Sequence, residues 1–227
     1  MRYDITGGNL PVLKCQLDAG EEIVCEAGAM SWMDDCMEMT TSGGGLKKMF
    51  GRLLGSEPLF INRYTARTAG EIAFSSSFPG SIVAFRVTPD KPVILQKKSF
   101  LAMTPGVDSE IFFQRKLGNG FFGGEGFIMN RFTGDGMLFA EIDGSAIEYD
   151  IPAGGRKIVD TGYLAAMDGT CSVDIVRVKG AANIFLGGEG LFNTVINGPG
   201  HIVLQTMPVS KTAALLYNYM PHPSSNN

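Results

Sequence analysis

The sequence is poor in the groups from which catalytic and metal sites are most often assembled. Of its 227 residues two are histidine, His201 and His222, and four are cysteine, Cys15, Cys25, Cys36 and Cys171. No cysteines stand as C-x-x-C, so no zinc-ligand pattern is present. A non-haem iron site needs two histidines and a carboxylate on neighbouring strands, and His222 falls in a polar tail. No G-x-S-x-G occurs, and no spacing pairs His201 with a cysteine. Basic charge is not in excess either. The net charge is −4 and the pI about 5.2, without the basic footprint of a nucleic-acid binder. No apolar run approaches the ~20 residues that cross a bilayer. The opening Met1-Arg-Tyr-Asp-Ile-Thr-Gly-Gly8 has no apolar segment of the secretory kind and no Arg-rich, acid-poor character of a mitochondrial leader. The expectation is a cytoplasmic protein with reduced, structural thiols and no cofactor.

What is abundant is glycine, at 30 residues, with 11 prolines and 44% hydrophobic residues. A chain of this length buries roughly 70% or more of its unfolded surface. Frequent glycine and proline without a collagen period predict many turns between short strands. Ser81-Ile-Val-Ala-Phe-Arg-Val87, Met137-Leu-Phe-Ala-Glu-Ile142 and His201-Ile-Val-Leu-Gln-Thr206 are short apolar stretches rich in β-branched and aromatic residues, and read as strands.

The sequence also repeats itself. Asn119-Gly-Phe-Phe-Gly-Gly-Glu-Gly-Phe127 returns 64 residues later as Asn183-Ile-Phe-Leu-Gly-Gly-Glu-Gly-Leu191. An altered copy stands upstream, where Gly55-Ser-Glu-Pro-Leu-Phe-Ile-Asn-Arg-Tyr-Thr65 aligns with Gly123-Gly-Glu-Gly-Phe-Ile-Met-Asn-Arg-Phe-Thr133. Gly134-Asp-Gly136 matches Gly198-Pro-Gly200, and Pro79-Gly80 is the first copy's version, displaced by an insertion. Phe100-Leu-Ala-Met103 matches Leu164-Ala-Ala-Met167, with Gly28-Ala-Met30 as the first copy's version. Three copies of this size predict duplicated architecture. The expected fold is all-β, a barrel or sandwich with pseudo-threefold character and one or two short helices. Residues 1–220 form one domain, with repeats at about 9–80, 81–136 and 137–206, and 221–227 a disordered tail.

Two candidate sites follow. The repeated glutamates Glu57, Glu125 and Glu189 would occupy equivalent places. Converging on an axis they would need a cation or shared protons. Facing outward, each would accept hydrogen bonds from neighbouring glycine amides and pin its turn. The second candidate is Leu46-Lys-Lys-Met-Phe-Gly-Arg-Leu-Leu54, where Leu46, Met49, Phe50, Leu53 and Leu54 form a helical stripe and Lys47, Lys48 and Arg52 lie off it. Such a segment suits an anionic membrane surface, a partner subunit or a sheet edge. Lys211–Met220 is a second short helix. Gly118-Asn-Gly-Phe-Phe-Gly123 matches G-x-G-x-x-G by letter but lacks the strand–turn–helix context of a dinucleotide site. Phe121, Phe122, Phe127, Phe185, Leu186 and Phe192 are core or, if exposed, a partner surface.

Glu26-Ala-Gly-Ala-Met-Ser-Trp-Met33, Gly43-Gly-Gly45, Ser99-Phe-Leu-Ala-Met103, and Gly187-Gly-Glu-Gly190 through Gly198-Pro-Gly-His-Ile-Val-Leu-Gln-Thr206 together resemble the altered-inheritance-of-mitochondria (Aim) family. The likeness runs from about Tyr3 to Thr206. It implies a double-stranded β-helix related in shape to the ring-forming tryptophan RNA-binding attenuation protein (TRAP). It implies no catalytic residues, and its bacterial members have no established reaction. The combined expectation is a non-enzymatic structural or scaffolding protein that self-associates or binds a protein partner, with peripheral membrane contact as a further role. The alternative is a module binding a small molecule or ion in the barrel interior. Nucleic acid is not an expected partner.

Overall fold

The computed structural model describes residues 1–40, 61–115, 126–177, 192–217 and 219–220. Strands β1 (Arg2–Thr6), β2 (Val12–Leu17), β3 (Glu22–Glu26), β4 (Met30–Met33), β5 (Met37–Thr40), β6 (Ile61–Ala66) and β7 (Gly70–Ser75) come first. Next are β8 (Gly80–Val87), β9 (Val93–Gln96), β10 (Phe100–Met103), β11 (Val107–Arg115), β12 (Phe127–Gly134) and β13 (Gly136–Asp143). Then follow β14 (Ala146–Ile151), β15 (Arg156–Asp160), β16 (Leu164–Asp168), β17 (Ser172–Arg177), β18 (Phe192–Asn197) and β19 (Gly200–Gln205), and the one α-helix among the described residues, α1 (Val209–Tyr217). The stretches expected as strands at 81–87, 137–142 and 201–206 are β8, β13 and β19, and α1 overlaps the expected C-terminal helix.

The strands form antiparallel sheets in a recurring order. A four-stranded sheet runs β1-β2-β7-β4, and a three-stranded one β15-β18-β17. Between them are two six-stranded sheets, β5-β6-β3-β10-β13-β8 and β11-β12-β9-β16-β19-β14. Adding six to every label of the first six-stranded sheet gives the second. The same shift turns β11-β12-β9 into the three-stranded sheet and relates β10-β13-β8 to β4-β7-β2.

Irregularities in register recur with the order. β4 on β7 skips from Met30↔Phe74 to Trp32↔Ala73, β10 on β13 from Phe100↔Ala140 to Ala102↔Phe139, and β16 on β19 from Leu164↔Leu204 to Ala166↔Val203. An extra residue at each place bends the strand and strengthens its twist. This register corrects two sequence expectations. Met33, not Met30, corresponds to Met103 and Met167. The hairpin corresponding to Gly134–Gly136 and Gly198–Gly200 joins β6 to β7 and ends at Gly70, whereas Pro79 lies between β7 and β8 and Gly80 opens β8. The strand order therefore calls for no insertion before that turn. Glycine at 70, 136 and 200 has a steric cause: a Cβ would collide with Cys36 Sγ, Thr104 Oγ1 and Cys171 Sγ respectively.

The buried side chains form clusters between successive sheets. Leu13, Ile72 and Phe74 of the four-stranded sheet meet Ile23, Tyr64 and Phe139 of the first six-stranded sheet. Phe100, Leu138 and Val87 of that sheet meet Leu95, Phe132 and Val203 of the next. Ile94, Met129 and Ile202 there meet Val173, Ile175 and Ile196 of the three-stranded sheet. Each six-stranded sheet is thus covered on both faces. This is why β10 reads Phe-Leu-Ala-Met, four buried residues without alternation.

Candidate functional site

Polar side chains at the ends of several strands enclose a cleft of ≈ 280 Å³. Glu26 ends β3, Gln96 ends β9, Glu141 and Asp143 lie at the end of β13, and Gln205 ends β19. Ser77, Ser99 and Lys98 complete most of its polar lining. Glu141 is buried but well satisfied. It accepts from the Ser77 backbone N–H at 2.7 Å, from Ser77 Oγ at 2.9 Å and from Ser76 Oγ at 3.2 Å. Asp143 accepts from the Val209 N–H at 2.7 Å, placing a carboxylate on an otherwise unpaired donor at the start of α1. Gln205 donates to Gly162 O at 2.8 Å and to Gln96 Oε1 at 3.3 Å, and accepts from the Asp143 N–H at 3.1 Å.

The acidic groups of the cleft resist ionisation. Burial, then the charge of Glu141, raises Glu26 from 4.5 to about 7, against the opposing pull of Lys97 and Lys98. Burial also raises Glu141 despite its serine donors, and Asp143 despite Val209 and Lys98. Serine and glutamine add neutral donors and acceptors. Among the described residues no group of three or more His, Cys, Asp and Glu is arranged to hold a metal ion. Sequence reasoning missed this site. The available signal was Glu141, an acid inside the otherwise apolar stretch Met137–Ile142.

A second feature lies at the two outer sheets, which end on β4 and β15 with no further strand beside them among the described residues. Their side chains differ from those at matching inner positions. Trp32 is 48% and Met33 38% exposed, whereas Ala102 and Met103 of β10 and Ala166 and Met167 of β16 are at most 2% exposed. Ile158 is 55% exposed, against 1% for Val24 and 0% for Ile94. The inner residues lie at the seams where β3 pairs with β10 and β9 with β16, in sheets covered on both faces.

The family model for mitochondrial biogenesis AIM24 matches residues 3–207. The chain belongs to the mitochondrial biogenesis AIM24 family. Its structure is similar to the crystal structure of protein SPYM3_0169 from Streptococcus pyogenes, with a TM-score of 0.79 and 24% identity over 96% of this chain and 99% of that one. At that identity the likeness concerns the fold. No curated protein matches the chain. No described helix of this AIM24 chain is long and apolar enough to cross a membrane.

The residues singled out by sequence fall mostly elsewhere. Glu57 and the Leu46–Leu54 stretch (Leu46, Lys47, Lys48, Met49, Phe50, Arg52, Leu53, Leu54) belong to the connection between β5 and β6. Glu125 precedes β12 and Glu189 precedes β18, so the three glutamates occupy corresponding connections in the strand order. All of them lie outside the described residues, as do Phe121, Phe122, Phe185 and Leu186. Phe127 is fully buried, and Phe192 packs against the same cluster. The four cysteines are free thiols, three of them buried. Burial pushes Cys15 and Cys25 up to about 12, which suits inert structural thiols.

His201 sits on β19 opposite Asp150 of β14. Its Nδ1 lies 2.8 Å from Asp150 Oδ1 and its Nε2 3.1 Å from Glu148 Oε2. Both ring nitrogens thus face carboxylates rather than a thiol. The Asp150 hydrogen bond, first among the causes, raises its pKa above 6.5. A raised histidine pKa contributes stability below the unfolded value and loses it as pH rises through the folded value. His201→Ala is therefore expected to lower stability by less than about 1 kcal/mol at pH 5.5. The difference should shrink by pH 9, and thermal melts at the two pH values check it. A constant difference would mean that His201 acts by packing.

Proposed function

We propose that this chain is a non-enzymatic structural module that associates with copies of itself or with a protein partner. In this reading it consists of three related units, β2–β7, β8–β13 and β14–β19, arranged as a pseudo-threefold, TRAP-like double-stranded β-helix. The divisions fall near residues 78 and 145, so β13 closes the second unit instead of opening the third. The recurring strand order and register irregularities support three units. The observation that carries the function is the pair of unfinished outer sheets. Edges that are unpaired among the described residues and bear tryptophan, methionine and isoleucine are templates for another strand. The free cysteines support a reducing compartment such as the cytoplasm. Native mass spectrometry tests the reading: a defined oligomer at a multiple of the 24.3 kDa chain mass is expected, and a bare monomer at all concentrations overturns it.

The cleft favours a second reading, as a module that binds a small molecule or ion. Ser99 is only 3% exposed and lines the cleft together with Glu26. Its volume is near the lower end of ligand pockets, about 300–1,000 Å³, and suits a small polar molecule. Extra mass on each subunit in the same spectrum supports this reading, and its loss on Glu26→Gln assigns the mass to the cleft.

A further inference from the structure

We infer that β15 of one copy pairs antiparallel with β4 of a second copy, joining the three- and four-stranded outer sheets into one sheet across the interface, in which β17-β18-β15-β4-β7-β2 repeats the inner six-stranded order and β1 adds a seventh strand. This deepens the self-association reading and rests on it. The two outer sheets are complementary fragments. β17-β18-β15 corresponds to the β11-β12-β9 half of an inner sheet, and β4-β7-β2 to its β16-β19-β14 half. Inside the chain such halves are already joined at two seams, β3 on β10 and β9 on β16. Among the described residues each copy therefore carries one unpaired edge of each kind.

The inner seams also dictate the register. β9 meets β16 with Leu95↔Ala166, Ile94↔Met167 and Val93↔Asp168. The matching positions place Val159 opposite Trp32, Ile158 opposite Met33, Lys157 opposite Asp34 and Arg156 opposite Asp35. The first two pairs bring together partly or largely exposed apolar side chains whose inner counterparts are buried. The last two set cations against carboxylates, and opposite charges at directly facing positions stabilise a strand pair. The apolar and the charged residues agree on one alignment. A one-residue slip would turn every side chain to the wrong face. Because the joined surfaces differ, the contact is heterologous, so it propagates as a ring or an open filament and does not stop at a twofold dimer.

Cysteine trapping tests the register. Ile158→Cys and Met33→Cys are made as separate full-length variants, both at partly exposed positions, and mixed under mild oxidation. A disulfide-linked dimer is expected from the mixture and not from either variant alone. Mixing Ile158→Cys with Ser31→Cys, two residues out of register, should give at least tenfold less. A charge swap supplies a second measurement. Arg156→Glu and Asp35→Arg should each dissociate alone and reassemble when mixed, since the mixture restores opposite charges at both contacts. If the protein is oligomeric but shows neither trapping nor charge rescue, the β15–β4 pairing is wrong and the self-association reading stands. If it is monomeric throughout, both fall.

Discussion

Phe100→Ala is expected to lower the unfolding free energy by about 3–5 kcal/mol. Phe100 is fully buried and stacks on Phe132 with ring centroids 5.6 Å apart. It projects from β10 in one six-stranded sheet and Phe132 from β12 in the other, so the pair joins the two inner layers. Truncation removes the transfer energy of a large apolar group and leaves a cavity between two hydrogen-bonded sheets that cannot easily close. Urea unfolding at constant slope measures the loss. A change below about 1 kcal/mol would mean that the layers are not held together here. A domain of this size has only about 5–15 kcal/mol in total, so this substitution alone consumes much of it.

Glu26→Gln should act in the opposite direction, and only above mildly acidic pH. The folded protein holds the Glu26 proton up to about 7, against 4.5 for an unperturbed carboxyl. Between those values the folded state binds more protons than the unfolded one, so stability falls as pH rises. The full shift corresponds to about 3 kcal/mol at ~1.4 kcal/mol per unit. Solvent screening at this partly exposed site reduces the expected gain to about 1–2 kcal/mol at pH 8. Near pH 4.5 variant and parent should coincide, because both side chains are then neutral. Melting curves from pH 4.5 to 8.5 check this: the parent should decline across the window and the variant should decline less. Parallel curves would mean that the Glu26 carboxyl is ionised throughout, with no penalty from burial or from Glu141.

The local elements were legible in the sequence because a strand announces itself over a few residues. β8, β13 and β19 follow from their β-branched and aromatic content. The apolar residues of β10 and β16 were legible only as matching motifs, and the sheet order showed them to be strands covered on both faces. The candidate site was not legible. Glu26, Gln96, Glu141 and Gln205 are far apart along the chain; three look like ordinary polar residues ending a strand, and Glu141 stands out only as an acid within an apolar stretch. Only the sheet order brings them to one cleft. The glutamates that attracted attention by repetition, Glu57, Glu125 and Glu189, lie outside the described residues.

Alignment by motif also erred where strand pairing did not. Gly28-Ala-Met30 looks more like its later counterparts than Ser31-Trp-Met33 does, and Pro79-Gly80 imitates a hairpin that it does not form. Register is decided by hydrogen bonds to another strand, and similarity of letters carries no information about that partner. By itself the sequence determined an all-β chain with recurring motifs, family membership, and strands whose inward residues alternate or run together according to burial. The tertiary structure decided which strands are neighbours, which carboxyls lose water, and which apolar residues remain uncovered on β4 and β15. The physical reason is range: turn chemistry and side-chain period act over a few residues, whereas pairing, desolvation and exposure are set by segments far apart in the chain.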